Sequence, residues 1–357
     1  MNSTDSNPHN RELLTLGLLL FLSGCIAKIP FIIDYPEDSF YAHFTGVILV
    51  PTWSYYIALK RKNTFIYPLI SSLFAVIIAF LLKYFFGFSE GDSFDIALIH
   101  SVVIFLFCIG FAFLGANWNE TKERMRYLKF LIDTAVVSGL LLISSIVFSG
   151  ITLELFTLTA LDIESFYIEN VVVWGIPAIP IIGSYLVLNN PDLVEKVTPL
   201  LSKIFSPLAF IALVLFSIAL VFAPNNIFED RELLLLFNLI LIAVCALILF
   251  SVSDKNLKQR QWKIIRLLSY ITTLDNLIAL LAIGYRIFEN GLTPNRFTLI
   301  GINLMLFIQL LSLNKQLYHA FSQKAIKNVV KIVSGPYLNI YLWWSIAIVF
   351  VVIPFWF

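Results

Sequence analysis

Residues 273–296 read TLDNLIALLAIGYRIFENGLTPNR, and with the apolar run that follows them to Asn314 they decide the fold. An acidic side chain at mid-bilayer costs roughly 2.5–3.5 kcal/mol on insertion scales, so a carboxyl there is expected to face protein or a watery cavity. Asp275 is such a group. Helical spacing places Thr272, Asp275, Asn276, Ala279, Ala282 and Arg286 on one side, all small, polar or charged, and Ile271, Leu274, Ile278, Leu281 and Tyr285 on the side suited to lipid. With about 1.5 Å of rise per residue, Asp275 lies roughly 12–13 Å in from Leu267, and Asn303 lies at similar depth, roughly 15 Å from Leu313. Packed side by side, the two helices would let Asp275, Asn276 and Asn303 meet, with Thr272 and Gln309 nearby, as a substrate or ion pathway.

The turn between these helices is legible residue by residue. Gly291 suits the position past a helix C-terminus because it tolerates positive φ. Thr293 followed by Pro294 reads as an N-cap and a first helical residue whose missing N–H costs nothing. A connection of two or three residues forces antiparallel neighbours. Arg286 and Arg296 flank it beside a helix N-terminus, whose free N–H groups favour anions. Arg286, Arg296 and Thr293 are therefore candidates for an anion or a lipid head group, against the plainer reading of arginines reaching an interface and pairing with Glu289.

The run Thr273–Arg296 with its following apolar span, and upstream NPDLVEKV and SPLAFIALVL within residues 190–215, resembles a bacterial polytopic inner-membrane family known only as domain of unknown function four-one-five-three. The resemblance covers Gly175 to Asn314. It implies a multi-pass protein of the bacterial cytoplasmic membrane and implies no activity.

Composition points the same way. Of 357 residues 59% are hydrophobic and 13% charged, where soluble domains carry about a quarter charged. An all-α, polytopic transmembrane bundle is expected. Eleven apolar spans are readable, near residues 13–33, 41–59, 64–86, 96–116, 130–150, 169–188, 204–222, 233–252, 267–286, 297–313 and 338–357. The second, with His43, Pro51 and Trp53, is alternatively re-entrant. The expected organisation is a polar segment 1–12, a ten-span domain 13–314, an interfacial amphipathic helix 315–336 stopped by Gly335 and Pro336, and a final span 337–357.

Charge sets the orientation. With a cytoplasmic N-terminus, 19 of the 24 Lys and Arg fall in inside segments and only Arg231, Arg286 and Arg296 outside, while Lys28 and Lys83 lie within spans. The C-terminus is then outside. Acidic residues such as Glu37, Asp38, Asp92, Asp95, Glu229 and Asp230 gather on the opposite side, so a net charge of +1 hides two oppositely charged faces. No nucleic-acid footprint results.

Leu22, Ser23, Gly24 and Cys25 fit a lipoprotein cleavage sequence, but the apolar run continues to Ile33, which favours an uncleaved helix. Cys25, Cys108 and Cys245 sit singly in apolar runs, giving neither a disulfide nor a metal motif. Pro177 and Pro180 predict a kinked or broken sixth span. That interruption, with Ser23, Gly24 and Pro30 in the first, admits an inverted repeat of five spans plus an eleventh.

No Walker loop, HExxH, GxSxG or clustered His is present, so no catalytic residue, metal ligand or cofactor is assigned. The expected role is a transporter or permease around Asp275, with membrane lipids and a small-molecule or ion substrate as partners. The alternatives are a non-catalytic envelope scaffold and an enzyme acting on a lipid-linked anion at Arg286 and Arg296.

Overall fold

The computed structural model describes residues 8–86, 91–157, 163–190, 205–218, 228, 230–253, 259–323 and 329–356. Among these the chain is helical throughout, with no strand. The helices are α1 (Pro8–Ala27), α2 (Ile29–Ile33), α3 (Glu37–Arg61), α4 (Ile66–Phe86), α5 (Asp92–Leu114), α6 (Thr121–Thr157), α7 (Glu164–Tyr167) and α8 (Val173–Asn189). They continue as α9 (Phe205–Ile218), α10 (Arg231–Ser253), α11 (Gln259–Asn290), α12 (Pro294–Gln323), α13 (Val329–Ala347) and α14 (Ile353–Trp356). Among the described residues, eight helical segments are long and apolar enough to cross a membrane, which by length and composition fits an integral membrane protein.

The burial pattern explains why. On α11 the buried face carries Ser269, Thr272, Asp275, Asn276, Ala279 and Ala282, while Leu267, Leu274, Leu281 and Tyr285 are exposed. A water-soluble helix has the opposite arrangement. Exposed Leu69, Leu73, Phe74, Ile77 and Phe80 on α4, over buried Ser71, Ala75 and Ala79, repeat it.

Every expected span has a helical counterpart among the described residues. Three fall outside the eight: α3, and the shorter apolar helices Phe205–Ile218 and Leu233–Leu249. The re-entrant alternative for residues 41–59 gives way to one helix of 25 residues that runs through Pro51, about 37 Å long. It buries His43, Thr52 and Ser54, which lowers its hydropathy without shortening it.

Two expectations change. The interfacial helix 315–336 is not a separate element: Lys315–Gln323 prolong α12, and α13 runs through both Gly335 and Pro336. Residues 324–328 lie outside the described residues, as do 191–204 with Lys196 and Lys203. Proline gives only a local stop signal, and a packed helix can continue through it where other groups take up the lost bond. The sixth span is likewise unbroken at Pro177 and Pro180; a π turn, Ile168–Val172, joins α7 to α8 one turn before them. The first span is the interrupted one. Lys28 separates α1 from α2, where Pro30 sits in the opening turn and Asp34 closes in the left-handed region.

The chain divides into two compact units, residues 1–90 with 98–191, and residues 91–97 with 192–357. The division falls after the sixth expected span, so it does not follow a five-plus-five repeat. In the first unit Trp53 donates its indole N–H to Ser184 at 2.7 Å, and Lys60 donates to both oxygens of Glu12 at 2.8 Å, tying α3 to α8 and α1. Lys28 pairs with Glu169 at 3.2 Å, and Lys83 donates to the Tyr35 hydroxyl at 2.7 Å, so both intramembrane lysines reach polar partners. Burial alone would push the Tyr35 phenol up, but hydrogen bonds from Lys83 and Ser39 and the lysine charge hold it below its ordinary value.

Close helix contacts rest on glycine. A Cβ at Gly24 would meet the Trp174 ring at 2.2 Å, and one at Gly301 would meet Trp344 at 2.2 Å, whereas nothing lies within 4 Å of Gly17. Gly24→Ala and Gly301→Ala are expected to lower the thermal unfolding midpoint in detergent, by the equivalent of about 1–3 kcal/mol for forced overpacking. Gly17→Ala serves as the control and leaves the midpoint unchanged or raised.

Candidate functional site

The second unit is built around the α11–α12 hairpin. Asn290 ends α11, Gly291 follows at φ +77°, and its N–H bonds the Ile287 carbonyl at 2.9 Å. Thr293 caps α12, its hydroxyl accepting from the Arg296 N–H at 3.3 Å, and Pro294 is the first helical residue. The turn therefore has three residues, and the helices pack along one another. Both features match the reading of the sequence.

Between the helices the polar groups meet only in part. The Asn276 amide donates to the Asn303 side-chain oxygen at 2.8 Å, and both residues are buried. Asp275 turns elsewhere. Its Oδ1 lies 2.7 Å from the Ser217 hydroxyl on α9, which the sequence reading missed, and its Oδ2 has no hydrogen-bond partner. A serine in an apolar helix gives no signal of its own, because only packing shows which neighbour it faces. Thr272 folds its hydroxyl back onto the Leu268 carbonyl, and Gln309 accepts from Tyr341 of α13, so neither shares a bond with Asp275. Ser269 donates to Asn314 at 2.6 Å and Asn314 donates to Thr273 at 2.8 Å, a further α11–α12 tie.

Asp275 is 0% exposed. A carboxyl lining an open route would touch solvent, and Asp275 does not.

At the turn end of the same unit the arginines gather around a cavity of about 180 Å³, lined by Asp92, Arg231, Arg286, Thr293, Asn295 and Arg296 among others. Arg231, at the start of α10, grips both Asp92 oxygens at 2.7 and 2.8 Å. Arg296 uses Nη1 to hold the Asn290 and Gly291 carbonyls at 2.8 and 2.7 Å, closing the C-terminal end of α11. Its planar fork has five donors, so most of its bonding capacity is left for another group. The positive charges of Arg296 and Arg231 repel that of Arg286, and the negative charge of Asp230 attracts it. Three arginines and one aspartate are among the lining residues. The expected arginine pair thus becomes a trio with Arg231, drawn in by the packing of α10 beside α11.

No family model, curated protein or solved structure matches the chain. The three free cysteines are separate, and no group of three or more His, Cys, Asp or Glu is placed to hold a metal ion among the described residues.

The Asn276–Asn303 bond is measurable by a double-mutant cycle. Alanine at each position and at both is expected to give a coupling energy of about 0.6 kcal/mol, and no more than about 1.7 kcal/mol. Reversible unfolding in mixed micelles reads it.

Proposed function

We propose that the protein is permease-like and binds a small anionic group, phosphate or carboxylate, in the arginine-lined cavity at the α11–α12 turn. The observation that carries this is the convergence of Arg231, Arg286 and Arg296 on one cavity beside the N-terminus of a 30-residue helix. Guanidinium forks match the oxygens of phosphate and carboxylate. Helix N-termini favour the same ligands. At about 180 Å³ the cavity is smaller than the ~300 Å³ at which drug-sized sites begin, so it suits a single oxyanion, free or at the head of a larger molecule. Binding is favoured over reaction because the polar lining offers little to do chemistry. Asp92 is held by Arg231, and Thr293 is engaged in capping.

A scaffold role is the second reading, favoured by the ties Asn276–Asn303, Gln309–Tyr341 and Ser269–Asn314 that link α11, α12 and α13.

The proposal includes the topology: eleven spans, a cytoplasmic N-terminus and an external C-terminus in a bacterial inner membrane. The placement of lysine and arginine supports it. On this orientation the arginine cavity opens on the external side.

Two results test these readings. Inorganic phosphate added to the purified protein is expected to bind measurably by calorimetry, and Arg286→Ala to weaken that binding tenfold or more, equivalent to about 1.4 kcal/mol. Equal affinity in wild type and variant would remove the site; binding only to micelles doped with an anionic lipid would make the ligand a head group. For topology, single cysteines introduced at Thr293 and Lys62 should react with an impermeant maleimide from opposite sides of the membrane. Labelling from the same side overturns the orientation.

A further inference from the structure

Ser217 has one hydroxyl hydrogen and two short contacts. Its oxygen lies 2.7 Å from the Leu213 carbonyl, one turn back on α9, and 2.7 Å from Asp275 Oδ1 on α11. A carbonyl oxygen can only accept, so the hydrogen shared with Leu213 must come from Ser217. The contact with Asp275 then needs a hydrogen of its own, and the carboxyl is the group that can supply it. Alternatively Ser217 gives its hydrogen to a carboxylate and leaves its contact with Leu213 without one. The first assignment satisfies both contacts and the second only one.

The surroundings favour the same assignment. Asp275 is 0% exposed, and its Oδ2 has no partner. Asn276 Oδ1, on the next residue of α11, is a buried acceptor that also lacks a donor. Burying an ion without a counter-charge is strongly unfavourable. No ion pair to Asp275 occurs among the described residues.

Nor do the elements packed on it bring one. On α9 the described residues 205–218 include no charged side chain. On α10 the charged residues Arg231 and Glu232 are at its start, and Cys245 is a buried thiol in the apolar cluster with Leu268. On α12 Arg296 is at the turn, and Lys315, Tyr318 and His319 lie in the last third of the helix. On α11 itself the nearest cations in sequence are Arg266 and Arg286, roughly 13–17 Å along the axis.

We propose that Asp275 is a proton-binding site, neutral while α9 is closed on α11 and losing its proton when that contact opens. The inference is independent of the arginine cavity. The carboxylic acid donates its O–H to Ser217 in the closed arrangement. Loss of the proton leaves a carboxylate that must gain water, and parting α9 from α11 breaks the one hydrogen bond that holds the carboxyl in its closed place. Closed protein therefore holds the proton more tightly than open protein, so acid favours closure and rising pH favours opening. A sodium site is the less suitable alternative, because two unpaired oxygens at Asp275 and Asn276 fall short of the ligand shell a bare cation needs.

Infrared difference spectroscopy on the full-length protein in micelles tests this. At pH 7 an ordinary aspartate is protonated in only about one molecule in a thousand. Subtracting the Asp275→Asn spectrum from wild type is expected to show a protonated-carboxyl stretch in most molecules at pH 7. That stretch fades at alkaline pH, together with a fall in the thermal midpoint that the asparagine variant does not share. Should that variant fail to fold, Asp275→Glu gives the difference spectrum, with the band shifted instead of lost. The proposal is overturned if no protonated carboxyl is seen at pH 7, or if the band survives both substitutions. It is equally overturned if replacing choline chloride with sodium chloride at fixed pH abolishes the band, which would make the site a sodium site.

Discussion

Hydrocarbon offers no hydrogen bonds, and that constraint organises this molecule. Backbone groups are satisfied by running nearly every described segment as helix. Side chains obey the same rule by turning their polar atoms inward, as α11 shows most fully: serine, threonine, aspartate and asparagine are buried while leucine and tyrosine face out. With lipid as apolar as the core, helices gain little from hydrophobic contrast. They adhere through close packing and interhelical hydrogen bonds. Trp174 seated on Gly24, Trp344 on Gly301 and Asn276 bonded to Asn303 are instances of both.

Within that frame the second unit separates two kinds of polar group along one hairpin. Near the middle of α11 an uncharged cluster is sealed between helices, with Asp275 held by a single serine. At the turn, about 16 Å along the axis from Asp275, Arg286 joins Arg231 and Arg296 around a cavity. In the sealed middle, each polar atom must find a partner or be left without one. The tight three-residue turn joins the two ends of α11 and α12 mechanically.

The first unit uses charge differently. Lys60, Glu12 and Asn189 bond to one another, Lys28 reaches Glu169, and Lys83 reaches Tyr35. These links join α1, α3, α4, α8 and the segments beside them, and each charged group has found a partner. Satisfied charges of this kind hold helices in place.

The helices, their approximate limits, the capped turn and the buried face of α11 were all legible in the sequence, because each is set by local spacing and by residue chemistry against lipid. Gly291, Thr293 and Pro294 could be placed to the residue for that reason. Local signals misled where tertiary contacts override them, as at Pro177, Pro180, Gly335 and Pro336, through which helices continue. Which polar groups actually meet was decided only in three dimensions. Ser217 is 58 residues from Asp275 and Arg231 is 55 from Arg286, and no periodicity within one helix reports which neighbour its face will find.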